Sequence, residues 1–225
     1  MKLELQYLLE QARSGDVGIR RTAMRQLARY PVPEALTALV AGLCDEPAVA
    51  DAAAHSLLRI GGEAAARAVV PLLAHEEVRP RSVALDVLIG LGRTAGPVLV
   101  ELLGHPDREL RKMAAEVLAQ GTYVEACPAL EAVLDDPDPV VRAAAAAAVA
   151  ALGCRGAAQH LVQRLAEERE DWVRFALAGA VARLASPNEV QALLEEMPDG
   201  ALADLVRTEL RHRLEGAAVE EEAWG

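Results

Sequence analysis

The sequence predicts an all-α solenoid of about six stacked two-helix units, with a single helix closing each end. Three observations carry that prediction. Hydrophobic residues make up 52% of the 225-residue chain, yet it holds only one Phe, three Tyr and two Trp. A core of Leu, Val and Ala suits close-packed helices better than a β-sandwich. The second observation is a recurring pattern of acid, apolar residue and arginine. The third is helical spacing of apolar residues inside each unit.

The repeat is anchored on Ile19, Val49, Pro80, Leu110, Val141 and Val173, spaced 30, 31, 30, 31 and 32 residues apart. Three residues before each anchor stands an acid: Asp16, Glu46, Glu77, Asp107, Asp138 and Glu170. One residue after it stands Arg20, Arg81, Arg111, Arg142 or Arg174, with Ala50 the exception.

Met1 to Ser14 supplies the leading helix. In each unit, apolar residues four, eight and eleven beyond the anchor, as in Val141, Ala145, Val149 and Leu152, define one helical face. Gly61, Gly92, Gly121 and Gly153 fall where those helices end, in the left-handed cap that glycine enters cheaply. A second apolar run makes a second helix in each unit: Leu36–Leu43, Val69–Leu73, Val98–Leu103, Ala129–Leu134, Leu161–Leu165 and Val190–Leu194. Pro47, Pro106, Pro137, Pro139 and Pro187 sit at the junctions, where a missing N–H costs little. Two helices cannot bury their apolar faces alone, so units stack and share a core. Gly200 to Leu214 reads as a polar closing helix. The array spans 1–214 as one domain, and 215–225, with Glu220, Glu221, Glu222 and Trp224, reads as a flexible acidic tail.

With the repeat in view, Asp135-Asp136-Pro137-Asp138-Pro139-Val140-Val141-Arg142-Ala143-Ala144-Ala145 and the later Leu152-Gly153 resemble the HEAT-like repeats first associated with phycobilin lyases. The resemblance covers about residues 15–197 and implies a right-handed α-solenoid. It also implies a ladder between units built from the acid three before the anchor and the arginine one after, broken at Ala50. Its functional implication is a choice between a binding scaffold and a bilin lyase or chromophore chaperone subunit.

Charge narrows the field. The chain has 23 Lys and Arg against 34 Asp and Glu, a net charge of −11, and Lys2 and Lys112 are its lysines. Affinity for phosphate backbones comes from neutralising phosphates, so nucleic acid is disfavoured. A DNA-processing enzyme of the alkylation-repair type, built from related repeats, would need a basic groove and aromatic residues to hold an exposed base. Arg20, Arg21, Arg25 and Arg29 make a basic patch, but it is not continued as a stripe. Arg21, Arg25 and Arg29 read as a solvated face or as a contact for an anionic partner segment. Cys44, Cys127 and Cys154 lie far apart with no C-x-x-C pair, so neither a disulfide framework nor a zinc ribbon is expected. That fits a reducing compartment. The first ten residues lack a basic start and a long apolar run, and no later window is apolar enough to span a bilayer, so the chain reads as cytoplasmic.

Five residues before the anchors stand Ser14, Cys44, His75, His105, Asp136 and Glu168, types that ligate metals. Stacked helices lie about 8–10 Å apart, whereas zinc ligands lie within about 4 Å of each other. One residue per unit cannot close a site, and the row reads as loop or capping residues. Some HEAT-like proteins are di-iron hydroxylases with repeated His-Glu dipeptides; His75-Glu76 is one copy, in a loop. No spacing pairs a nucleophile with a base. Catalytic, metal and cofactor residues are therefore expected to be none.

The remaining surface lies on the first helix of each unit, which in HEAT-like stacks lines the concave side. Three beyond the anchor stand Thr22, Ala52, Val83, Met113, Ala144 and Ala176; seven beyond stand Gln26, Ser56, Val87, Val117, Ala148 and Ala180. From the third unit on, both columns are apolar. With Phe175 they form either a groove for a helix or extended peptide, or packing between units. Six alanines, 143–148, leave the fifth unit without bulk, giving either close helix approach or a shallow notch. The expected function is a noncatalytic adaptor that binds another protein through Val83, Val87, Met113, Val117, Ala144, Ala148, Phe175 and Ala176.

Overall fold

A computed structural model of the chain describes residues 2–196, 200–208 and 212. The described residues are helical with short 3-10 turns and contain no strand. The chain divides by its internal contacts into two compact units, Met1–Leu99 and Val100–Gly225. In the first unit, α1 (Lys2–Gln11) precedes the hairpins α2 (Val17–Leu27) with α3 (Pro33–Leu43) and α4 (Pro47–Ile60) with α5 (Gly62–Val69), then α6 (Val78–Leu91). Helix α7 (Gly96–Leu102) runs across the sequence boundary. The second unit holds α8 (Arg108–Gln120) with α9 (Cys127–Val133), α10 (Pro139–Leu152) with α11 (Ala158–Glu167), α12 (Asp171–Leu184) with α13 (Pro187–Glu196), and α14 over 201–208. The alternation of long and short helices follows the expected period. The expected closing helix is described only as far as α14 and His212, and the acidic tail lies outside the described residues.

Helix starts follow from local chemistry. Asp16, Asp107 and Asp138 occupy N-caps, and their carboxylates accept from the amides of Ile19, Glu109 and Val140. Each satisfies a donor that would otherwise be orphaned, worth about 1 kcal/mol. Pro33, Pro47 and Pro139 stand at first helical positions, where no N–H is needed. Ser186 and Glu189 form a reciprocal capping box at α13: the Ser186 amide donates to the Glu189 carboxylate and the Glu189 amide to the Ser186 hydroxyl. Pro71 lacks the N–H that would continue α5, which tightens into a 3-10 turn over Val70–Ala74.

Of the four glycines expected in left-handed caps, Gly61, Gly92 and Gly153 have positive φ, but Gly121 sits at φ −93°. There the chain leaves α8 by an extended path and needs no left-handed residue.

Each unit buries its own leucine core. Leu27, Leu39, Leu43 and Leu57 are fully buried in the first, and Leu130, Leu134, Leu161 and Leu177 in the second. Burial of one such side chain stabilises by about 2–3 kcal/mol. Gly42 of α3 lies so close to α2 that a Cβ would stand 2.7 Å from the Met24 sulfur. In α10, Ala145, Ala146 and Ala148 are fully buried, and the helix packs against both α8 and α12. The small side chains here serve close approach, while Ala143 and Ala144 are half-buried and Ala147 is exposed.

The cysteines depart from expectation. Cys127, at the start of α9, and Cys154, just after α10, form a disulfide with Cα atoms 5.5 Å apart and a sequence separation of 27. Stacking brings loop positions of successive hairpins together, which a search for close Cys pairs along the chain does not register. Cysteine usage therefore no longer argues for a reducing compartment. Among the described residues, no single helix is long and apolar enough to cross a membrane.

Candidate partner-binding surface

Five of the six loops that set the first helices in place obey one rule, the exception being the loop at Cys44, where Asp45 accepts from the Glu46 amide instead. Five residues before the anchor, a side chain accepts from the amide two residues on: Ser14 Oγ from Asp16, His75 Nδ1 from Glu77, His105 Nδ1 from Asp107, Asp136 from Asp138 and Glu168 from Glu170. The row that resembles a set of metal ligands is a row of loop-closing acceptors. Among the described residues, no group of three or more His, Cys, Asp or Glu side chains could hold a metal ion.

The ladder is real, but its acid is a different one. Arg111 grips Asp136 through Nε and Nη2 at 2.6 and 2.9 Å, and Arg142 grips Glu168 at 2.7 and 2.8 Å. Arg20 does the same to Asp45. In all three, Nη1 turns back to two carbonyls of its own loop: Ser14 and Gly15, His105 and Pro106, Asp136 and Pro137. The partner is thus the loop acid four or five residues before the next anchor; of the acids three before, Asp16, Asp107 and Asp138 cap their own helices, whereas Glu46, Glu77 and Glu170 make no side-chain cap bond. Arg108 paired with Asp138 at 2.8 Å is a further rung. The Glu168 side chain is 2% exposed, and its hydrogen bonds to Arg142 hold its pKa near about 2 against the opposing effect of burial. Arg20 lowers Asp45 in the same way.

At Ala50 the arginine is missing, and the loop is served from elsewhere. Arg79 of α6 donates through Nη2 to the carbonyls of Cys44 and Asp45 at 3.1 and 2.6 Å. These are the two loop positions that the absent arginine would have satisfied. Arg81 has no hydrogen-bond or ion-pair partner among the described residues.

The two apolar columns separate by depth. Val87, Val117 and Ala148, seven beyond the anchor, are 1%, 3% and 0% exposed and pack inside their units. Ser56, in the same column, is buried with its hydroxyl donating to the Met24 carbonyl at 2.8 Å. Val83, Met113, Ala144 and Ala176, three beyond the anchor, are half-buried and reach the surface. On α12, Phe175 is 40% exposed and Trp172, one turn earlier, 48%. Gly179, a further turn along, faces open space where a side chain would stand. The second unit thus presents an apolar face over α10 and α12: Ala144 and Ala147 form its floor and Trp172, Phe175 and Val140 its raised edge.

Trp172 has no part in the column reading, because it falls one residue before the anchor and off both columns. The signal was present all the same: in a chain so poor in aromatics, Trp172 and Phe175 stand three apart on one helix.

In the first unit, Arg21 and Arg25 are exposed on α2 and Arg29 is exposed in the turn that follows it. Beside them lies a groove of about 330 Å³ whose lining includes Tyr7, Leu8, Ile19 and Ala23.

Stacked helical hairpins tied loop to loop, with an apolar outer face, define an α-helical repeat protein. The chain belongs to the HEAT repeat family: residues 5–89, 67–150, 96–182 and 128–215 each match it, and the fold class is an α-solenoid. Among solved structures, the CpcE–CpcF complex of phycocyanin lyase from Nostoc sp. PCC7120 is similar at 23% identity over 92% of this chain and 94% of that one, TM-score 0.36. An engineered protein shares 22% identity over 80% of this chain and 96% of its own, TM-score 0.42. A designed armadillo repeat protein shares 19% over 80% and 99%, TM-score 0.39. These likenesses concern fold alone. No curated protein matches the chain.

Proposed function

We propose that the chain is a noncatalytic scaffold that binds a protein partner on the α10–α12 face. The observation that supports this most is the pair Trp172 and Phe175, about half exposed above a floor of alanines. Solvated aromatics beside small side chains are what a helix or extended peptide needs in order to bury an anchor. Val117 and Ala148, buried in the same unit, support that face from below, and Met113 and Ala176 extend it, while Val83 and Val87 belong to the first unit and have no part in it.

The test is affinity capture with the wild-type chain and with Trp172→Ala and Phe175→Asp, both at exposed positions. Partners captured by the wild type should be lost by both variants at an unchanged thermal midpoint. Equal capture would remove this face from the reading. A visible absorbance change on mixing the chain with a bilin and an apo-phycobiliprotein would replace it with a lyase.

A further inference from the structure

The first unit carries a second surface with a different chemistry. Arg21 and Arg25 stand four residues apart on α2, so they share one face about 6 Å apart along the helix, and Arg29 follows in the turn after it. None has a hydrogen-bond or ion-pair partner for its side chain among the described residues, whereas the adjacent Arg20 is fully engaged. Arg59 of α4 joins them, its Nη2 donating to the Arg25 carbonyl at 3.4 Å, a contact that leaves its charge uncompensated. Helix α2 contains no acid, and α4 contains only Asp51. In a chain of net charge −11, this is a concentrated cationic row.

The neighbouring groove supplies the other half of a site. Ile19 is 41% exposed, although Val49, Val141 and Val173 at the same position of other repeats are fully buried. Helix α1 covers Ile19 only in part and adds Tyr7, 59% exposed, to the groove wall. Thr22, Gln26, Gln11 and, at the N-cap end, Asp16 also line the groove; Thr22 and Gln26 directly follow Arg21 and Arg25 in sequence, so the groove and the cationic row run side by side along α2.

We propose that this face of α2 binds an acidic amphipathic helix of a partner protein. Its carboxylates lie on Arg21, Arg25 and Arg29, and its apolar side chains enter the Tyr7–Ile19 groove. Arginine spaced four apart matches glutamate spaced four apart on a helix laid alongside, with fork-shaped donors suited to carboxylates. A nucleic acid backbone fits less well, since the cationic row ends at Arg29 just past α2 and is flanked by the Tyr7–Ile19 groove. The inference is independent of the α10–α12 face.

The probe is a fluorescein-labelled synthetic helix of about 15 residues, glutamate on one face and leucine with one tryptophan on the other. It is titrated with the full chain by anisotropy at about 50 and about 300 mM salt. Saturable binding is expected at low salt, weakened at high salt. The double variant Arg21→Glu, Arg25→Glu should bind about tenfold more weakly or worse. Ile19→Asp should weaken binding as well, and Phe175→Asp should leave it unchanged. Thermal midpoints of the variants should match the wild type, because every substituted side chain is exposed. No binding at low salt, undiminished binding by the double variant, or displacement of the peptide by a single-stranded oligonucleotide of equal length would overturn the proposal.

Discussion

The two units are braced to different degrees. The second has two bidentate arginine rungs with nearly buried acids, Arg111–Asp136 and Arg142–Glu168, a more exposed rung at Arg108–Asp138, and the disulfide between Cys127 and Cys154. The first has one bidentate rung, Arg20–Asp45, and at Ala50 none. What survives at Ala50 is the satisfaction of two loop carbonyls, handed to Arg79. The feature common to both units is therefore cover for orphaned backbone acceptors, with the ion pair as an addition.

The largest way to narrow the difference is to open the disulfide. Reduction, or Cys154→Ser, frees a closed loop whose ends are 27 residues apart and should cost about 3.5 kcal/mol by chain entropy. Urea denaturation should show the loss, and hydrogen exchange should confine it to the second unit. Acid should act next. The Glu168 pKa is depressed from 4.5 to about 2 in the fold, so its contribution is present above the unfolded value and is lost as pH falls from about 4.5 to about 2. By linkage this is worth about 3 kcal/mol, and Glu168→Gln should flatten that part of the stability–pH curve. In the first unit, Arg79→Ala should cost about 0.5–1 kcal/mol, since the bonds to the Cys44 and Asp45 carbonyls are exposed and water can replace the lost donor. If amide exchange around those loops is unchanged in that variant, the carbonyl argument fails. The last contrast is between glycines. Gly153→Ala should cost about 1 kcal/mol at its left-handed φ, whereas Gly121→Ala, in an ordinary conformation, should be close to neutral in thermal melts.

The helices were legible because apolar spacing and a repeat of near-constant length answer directly to how hairpins stack. The ladder's partner was not. Acids recur both three and five residues before the anchor, and spacing along a chain does not say which carboxylate the next loop presents to an arginine. The same ambiguity made His75, His105, Asp136 and Glu168 resemble ligands, since a side chain that can accept from an amide can also bind a metal. Depth was equally hidden. Seven beyond the anchor lies at the margin of the buried face, and only packing shows that Val87 and Val117 fall inside while Phe175 stays out.

Helix α10 divides its labour by residue. Ala145, Ala146 and Ala148 hold the neighbouring helices, while Ala147 is exposed and Ala143 and Ala144 are half-buried. Because the two sets do not overlap, a larger side chain written at Ala147 would redraw the floor of the α10–α12 face, and with it the choice of partner, without rewriting the core.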